Sequence, residues 1–186
     1  MAERGYHLSL YAYASNNPIN RIDPDGRWDV RVHVYNDRAQ HGYGVAVVTD
    51  RSGNEVQRFN VRAEGVGGRD RTQTNADTPL GVYNIPNATP WLTDGDRGSY
   101  VPNARLNMVG ESGEIATSAS NRDGIRIHGG RQETYNATTG EWTANANPTL
   151  ARTNGCLRAF DTDMATFQQT TNISQSSDQV GDTPHK

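Results

Sequence analysis

One thiol and one imidazole carry the reactive chemistry that this sequence suggests. Cys156 is the only cysteine among 186 residues, so an internal disulfide and a multi-cysteine zinc site are excluded. The residue is either a buried core thiol or a nucleophile, and a nucleophilic thiol needs a base or a positive charge to stabilise its thiolate. Of the five histidines, His128 ends an apolar segment and precedes two glycines. An enzymatic role requires His128 to lie within hydrogen-bonding reach of Cys156.

Glycines flank both candidate residues. Gly129 and Gly130 follow the histidine, and Gly155 precedes the cysteine. Glycine lets a ligand backbone approach closely and leaves main-chain groups open for hydrogen bonding. All three glycines suit a place beside a reactive group.

The elements that position these residues are predicted to be mostly β-strands. A hydrophobic content of 33%, with 19 glycines and 8 prolines, indicates short strands joined by many turns. Polar and apolar residues alternate over 29–35. An apolar run at 44–50, a turn and an alternating segment at 55–63 predict a hairpin. Further strands are predicted at 78–85 and 124–128.

The remaining segments are predicted from their polar composition and their capping residues. Residues 86–120 hold few apolar anchors, which favours an irregular lid or a substrate-side loop. Residues 131–147 form a long polar insertion. The Asp-Thr-Asp sequence at 161–163 can cap a short helix that ends near residue 170. The polar tail, 174–186, is predicted to be flexible.

Three segments, in the same order along the chain, resemble motifs of the YkuD family of L,D-transpeptidases. Residues 127–129 (IHG) match the family's histidine-glycine pair. Residues 153–158 (TNGCLR) resemble its Ser/Thr-His-Gly-Cys motif, which continues with an aliphatic residue and Arg or Asn. Residues 78–83 (TPLGVY) resemble its Thr-Pro-x-Gly-x-aromatic strand. Two departures stand out: Asn154 replaces the histidine before Gly-Cys, and the interval between His128 and Cys156 is longer than in the family.

The resemblance implies a mainly β domain, an L,D-transpeptidase-like β-sandwich with one or two short helices, and no metal or cofactor. It implies that Cys156 attacks a peptidoglycan stem peptide to form a thioester, with His128 as the base. The carbonyl of Gly129 would orient His128.

Further roles follow from the same resemblance. Main-chain N–H groups near Gly155 and Cys156 would hold the oxyanion, and Asn154 can still donate a hydrogen bond there. Arg158 would bind a carboxylate of the stem. Thr153 is counted with the substrate-binding residues, although it can simply satisfy the turn backbone. We interpret Arg126 as a solvated charge.

The first 27 residues resemble the end of the core of Rhs-repeat proteins. An LYAY-x-x-NNP run is followed by Pro18, Asp23, Pro24 and Gly26, which match that family's Pro-x4-Asp-Pro-x-Gly motif. Arg27 stands where the family usually has leucine, so the exact cleavage position stays open. The resemblance implies an Rhs end at 1–27, a toxin domain at 28–173 and a flexible tail after it.

An Rhs context implies several partners and a destination. The upstream repeats would form a shell around the toxin, and a cognate immunity protein would neutralise it. A contractile (type VI) secretion apparatus would deliver it as an effector that acts in the periplasm of a target bacterium.

Charge and hydropathy weigh against rival functions. A net charge of -3 and a pI near 5.9 do not fit a nuclease toxin, which needs a basic face or paired acidic metal ligands, so no nucleic-acid partner is expected. No stretch reaches the length of a membrane span, and the N-terminus lacks the apolar core of a signal peptide. A non-catalytic module that binds stem peptides stays open, because Asn154 departs from the family motif.

Overall fold

The computed structural model describes residues 28–50, 52–86, 89–100, 102–116 and 122–178. Within these ranges the chain is mainly β, with two α-helices, and the predicted fold class is confirmed. The Rhs-like segment that precedes them lies outside the described residues. No helix of the described part is long and apolar enough to cross a membrane.

The elements follow one another in chain order as β1 (Trp28–His33), α1 (Arg38–His41), β2 (Gly44–Asp50), β3 (Glu55–Arg62), β4 (Gly81–Asn84), β5 (Trp91–Leu92), β6 (Arg105–Asn107), β7 (Val109–Gly113), a 3-10 helix (Glu114–Ala116), β8 (Arg126–His128), β9 (Glu133–Asn136), β10 (Glu141–Ala144), β11 (Leu157–Ala159) and α2 (Asp161–Asp178). Seven strands form the main sheet in the order β1-β2-β3-β11-β8-β6-β5. Its β11–β8 pair is parallel, whereas the other pairs of this sheet are antiparallel. β4 pairs with β7, and β9 pairs with β10, in two small antiparallel sheets.

Helix α2 closes the hydrophobic core against the main sheet. Its Met164 and Phe167 are fully buried, and the Phe167 ring lies 5.3–5.6 Å from the rings of Trp28, Phe59 and Trp91. Aromatic side chains of this size bury a large apolar area. Truncation of Phe167 to alanine would therefore cost about 3–5 kcal/mol of stability.

The predicted strands are present, and two further segments hold more structure than predicted. Part of the irregular stretch at 86–120 forms β5, β6 and β7, because partners distant in sequence supply their ladders. The polar insertion at 131–147 folds into the β9–β10 hairpin. Helix α2 continues past the predicted end to Asp178, which includes the first residues of the tail predicted to be flexible.

Candidate active site

The register between β8 and β11 places the candidate residues on one face of the main sheet. Ile127 pairs with Leu157, and both side chains lie in the core. Successive strand residues point to opposite faces. His128 and its partner Arg158 therefore face away from that core, and Cys156, directly before β11, adjoins the same face.

The loop that carries Cys156 is shaped by side-chain hydroxyls. Thr153 Oγ1 donates to the Cys156 carbonyl over 2.7 Å and accepts from the Gly155 N–H over 3.1 Å. Thr78 Oγ1 donates to the same carbonyl over 3.2 Å. The hydroxyl of Thr153 thus satisfies the turn backbone. Since the Gly155 N–H is already engaged, the Cys156 N–H is the remaining oxyanion donor of the predicted pair.

Arg122 holds this loop from the other side. Its Nη2 donates to the carbonyls of Ala76 and Asn154 over 3.0 and 3.3 Å, and its Nη1 donates to that of Asp77 over 2.7 Å. Gly155 has a φ of +108°, and a Cβ at this position would overlap the guanidinium. A glycine is required here because the left-handed backbone and the packed arginine both exclude a side chain. The Asn154 side chain is exposed beside this contact.

His128 is buried and fixed in one orientation. Its side chain is 1% exposed, and Nδ1 lies 2.8 Å from the Gly129 carbonyl oxygen. A carbonyl can only accept, so Nδ1 carries the proton and Nε2 keeps a lone pair. Burial first, and then the charge of Arg158, lowers the pKa of His128 to about 3. The imidazole is therefore neutral near pH 7 and its Nε2 can accept a proton, although so low a pKa makes it a weak base.

Arg158, the residue predicted to bind a carboxylate of the stem, donates to main-chain carbonyls in the structure. The residue is 3% exposed. Its Nη1 donates to the carbonyls of Gly129 and Gly130 over 2.6 and 2.8 Å, and its Nε donates to that of Ala151 over 3.1 Å. The β8–β11 pairing explains this, because it sets Arg158 directly beside His128 and under the glycine turn. Arg158 fixes the carbonyl that orients the base.

A carboxylate completes the support of the glycine turn. Asp161 Oδ1 accepts from the Gly130 N–H over 2.7 Å, and a Cβ on Gly129 would overlap the same oxygen. Glycine at 129 is thus required by packing as well as by its carbonyl contact. Burial raises the pKa of Asp161, and the Gly130 N–H lowers it in part.

The expected hydrogen bond between His128 and Cys156 is not among the hydrogen bonds of the described residues. The register explains this, because His128 lies opposite Arg158, so that Cys156 is its diagonal neighbour across the two strands. Diagonal neighbours in sheets are usually about 7–8 Å apart. The two groups therefore share a face of the sheet without a direct hydrogen bond among those described.

The thiol is held mostly protonated, in a positive environment. Cys156 is partly exposed; its Sγ donates to the Gly124 carbonyl over 3.6 Å. Burial raises the pKa of the Cys156 thiol, whereas the Arg126 N–H and the guanidiniums of Arg126, Arg158 and Arg122 lower it in part. The thiolate therefore has to be generated by a base when a substrate binds.

The insertion between His128 and Cys156 supports a loop that covers the imidazole. The Tyr100 ring meets the His128 ring edge-on at 5.0 Å. Arg97, in the same loop, pairs with Glu133 of β9 over 3.1 Å and lies over the Trp142 ring of β10 at 5.6 Å. The β9–β10 hairpin thus fixes the loop that excludes water from His128.

An open cleft of about 490 Å³ lies beside the cysteine loop; its lining residues are Asn36, Arg69, Asp70, Arg71, Thr72 and Glu114. The Arg71 carbonyl accepts from Arg122 Nη1 over 3.2 Å, which joins this cleft to the thiol surroundings.

Within the described ranges, no group of three or more His, Cys, Asp or Glu residues could hold a metal ion.

Sequence reasoning missed three residues of this arrangement. Arg122 and Tyr100 reach the site from positions more than 25 residues before His128 or Cys156 and belong to no motif, whereas Asp161 is interpreted from the sequence as a helix cap alone. Arg126, interpreted as a solvated charge, has its main-chain N–H and its guanidinium close enough to the thiol to affect its pKa. Only the strand register reveals this, since it sets Arg126 beside Cys156.

One comparison with known proteins finds a family. The family model described as the L,D-transpeptidase catalytic domain (YkuD) matches residues 31–182. The comparisons with curated proteins and with solved structures return no match. The matched range holds the candidate nucleophile, the candidate base and the strands that position them.

Proposed function

Because the chain belongs to the L,D-transpeptidase catalytic domain family, we propose that it is a cysteine acyltransferase that acts on peptidoglycan stem peptides. One observation carries the proposal. The only cysteine adjoins the sheet face of a neutral imidazole whose Nδ1 is fixed by Gly129. That arrangement supplies a nucleophile and a base with a free Nε2.

The first step transfers an acyl group to the thiol. His128 Nε2 takes the Cys156 proton once the cysteine loop has shifted toward it, and the sulfur attacks the carbonyl of the third stem residue. The Cys156 N–H holds the oxyanion; such a donor is worth about 3–4 kcal/mol in other enzymes. The C–N bond then breaks, the leaving terminal D-alanine takes the proton from His128, and a thioester remains.

The second step resolves the thioester. The amine of another stem gives a crosslink, a free D-amino acid gives exchange, and water gives a trimmed stem. In each case the attacking group loses a proton to His128, and the Cys156 thiol is restored. The support of His128 by Arg158 and Gly129 suits this exchange of roles, because the imidazole keeps its orientation throughout.

A second candidate is a module that binds stem peptides without turning them over. Three observations favour it. His128 and Cys156 share no hydrogen bond among those described, burial raises the pKa of the thiol, and Asn154 stands in place of the family's histidine. Both candidates predict binding, and they differ in product formation.

Purified muropeptides with tetrapeptide stems separate the two candidates. Wild type is expected to release D-alanine and to gain the mass of an acyl group, both detectable by mass spectrometry. The Cys156→Ala variant is expected to do neither while it keeps its circular dichroism spectrum. Binding without product by the wild type would leave only the binding module, and neither binding nor product would sink both.

We further propose that the domain is an antibacterial toxin that is released from an Rhs shell, acts in the periplasm and is neutralised by an immunity protein. The Pro-x4-Asp-Pro-x-Gly motif at 18–26 supports this, and so does the family's link to the cell wall. Expression of residues 28–186 behind a periplasmic signal is expected to lyse cells, whereas cytoplasmic expression is harmless. Equal toxicity in both compartments would contradict a cell-wall target.

A further inference from the structure

Three guanidiniums surround the thiol; each has a carboxylate near enough to raise its pKa, but none has one in direct contact within the described residues. Arg122, Arg126 and Arg158 all act on the charge of Cys156, yet none forms an ion pair within the described residues. By contrast, Arg71 and Arg105 each lie 2.7 Å from a carboxylate oxygen. The positive charge at the reactive centre is therefore only partly offset, and the remainder favours an anionic ligand.

The three arginines differ in how many N–H donors remain available to a ligand. Nη1 and Nη2 of Arg122 donate to four main-chain carbonyls, and Arg158 is 3% exposed. Arg126 is half-buried, and both of its hydrogen bonds use Nη1, to the carbonyls of Met108 and Ile125 over 3.2 and 2.8 Å. Within the described residues its Nε and Nη2 have no partner. These two groups form the edge with which arginine binds a carboxylate through parallel hydrogen bonds.

The position of Arg126 fits a carboxylate close to the reacting carbonyl. Leu157 pairs with Ile127, so the preceding pair sets Arg126 beside Cys156 on the neighbouring strand. Strands are about 4.7–4.9 Å apart, and one residue of a peptide spans about 3.8 Å. A carboxylate one residue from the carbonyl attacked by Cys156 therefore reaches Arg126.

We propose that Arg126, with Arg122 beside it, is a specificity site for a free carboxylate of the acyl donor, within one residue of the scissile carbonyl. The inference rests on the proposed function and names the donors that it takes. Two carboxylates of a tetrapeptide stem meet the condition: the C-terminal carboxylate of the leaving residue, and the side-chain carboxylate of a diamino diacid at the third position. Arg158 contributes charge, and Arg126 makes the contact.

Binding to a thiol-free protein tests the site independently of turnover. The full chain with Cys156→Ala is titrated calorimetrically with three synthetic tetrapeptide stems: the free acid, the C-terminal amide and the third-residue side-chain amide. The same titrations are made with Arg126→Gln and Arg126→Lys added, and with Arg58→Gln as the matched control. Arg58 is an exposed arginine that pairs with Glu55 on β3.

We expect Arg126→Gln to raise the Kd of the free acid about tenfold or more, as the loss of a charge-assisted pair does. Arg126→Lys restores part of the affinity, and Arg58→Gln leaves the Kd unchanged. The parent protein, with Arg126 intact, should bind one of the two amides about as weakly as Arg126→Gln binds the free acid. The carboxylate that this amide blocks is the one that Arg126 recognises. Thermal unfolding midpoints, compared between Arg126→Gln and Arg126→Lys, exclude misfolding as the cause.

Two results overturn the inference. One is an Arg126→Gln protein that binds all three stems as tightly as its parent, or that loses the same factor for each. The other is a parent protein that shows no measurable binding of the free acid. Carboxylate-dependent binding without D-alanine release by the wild type would instead sink only the proposed acyl transfer. Turnover without any effect of Arg126 would sink only the carboxylate site.

Discussion

The base and the nucleophile of this site are held in different ways. His128 and Arg158 are 1% and 3% exposed and are tied to main-chain carbonyls of the turn after β8. Cys156 is partly exposed, in a loop shaped by Thr153 and by Arg122. A buried, fully bonded group is set before any ligand arrives, whereas a partly exposed loop can adjust. We therefore expect the cysteine loop, and not the turn after β8, to adjust when a ligand binds.

The largest expected effect comes from comparing Arg158, which supports the base, with Arg122, which supports the cysteine loop. Arg158→Met removes the donor to the buried Gly130 carbonyl and leaves the Gly129 carbonyl with only the His128 N–H, so it should cost about 3 kcal/mol or more of unfolding free energy. Arg122→Met also removes donors, but two of its acceptors, the carbonyls of Asn154 and Arg71, belong to residues that water reaches, so a smaller loss of about 1–2 kcal/mol is expected. Urea unfolding followed by circular dichroism measures both. Equal losses would contradict the contrast between the buried turn that holds the base and the cysteine loop.

A second test uses the buried imidazole. The pKa of His128 is lowered to about 3 in the folded chain, against about 6.5 in an unfolded one. The unfolded state therefore binds more protons between pH 6.5 and pH 3, and stability falls as the pH is lowered through that window. Between pH 7 and pH 5 this contribution amounts to about 2 kcal/mol.

The variant His128→Gln isolates that contribution, because other groups titrate in the same window. Asp161 and Asp163 have raised pKa values, and both remain in the variant. Urea unfolding at pH 7 and pH 5 should show a smaller loss for His128→Gln than for wild type. The same loss in both proteins would mean that the imidazole is not buried in its neutral form.

A third test addresses the shape of the cysteine loop. Thr153→Val keeps the side-chain volume but removes the donor to the Cys156 carbonyl and the acceptor for the Gly155 N–H. We expect a loss of about 1–2 kcal/mol in urea unfolding and slower D-alanine release. Thr134→Val is the matched control, because Thr134 is exposed and its hydroxyl, within the described part of the chain, bonds only to the Asn145 side chain. A loss no greater than that of Thr134→Val would show that the hydroxyl does not shape the loop.

The parts of the fold and of the site also differ in how far the sequence predicts them. The apolar alternation of β1, β2 and β3 predicts their places, and the IHG and GCLR segments predict that His128 and Cys156 belong to one site. The contact between His128 and Gly129 follows from adjacency in the chain.

Residues that arrive through long-range pairing could not be predicted in the same way. Arg122 lies 32 residues from Asn154 along the chain, and its place depends on the loop at 71–77. A motif gives the type of Arg158 but not its burial, which turns its donors toward main-chain carbonyls. The hairpin at 133–144 has a polar sequence, so hydrophobic periodicity gives no sign of it, although Asn136 and Gly140 do mark its turn.

The smallest expected effect on stability comes from restoring the family's histidine in the cysteine loop. Asn154 is exposed, and its main-chain carbonyl, which a substitution keeps, makes the contact with Arg122. Asn154→His should therefore change the unfolding free energy by no more than about 0.5 kcal/mol. An imidazole beside the thiol favours the thiolate, so alkylation of Cys156 by iodoacetamide at pH 7 should become severalfold faster than in Asn154→Ala. A stability loss as large as that of Arg158→Met would show instead that the cysteine loop is as rigid as the turn that holds the base, and that the thiol cannot approach His128 by a movement of its loop.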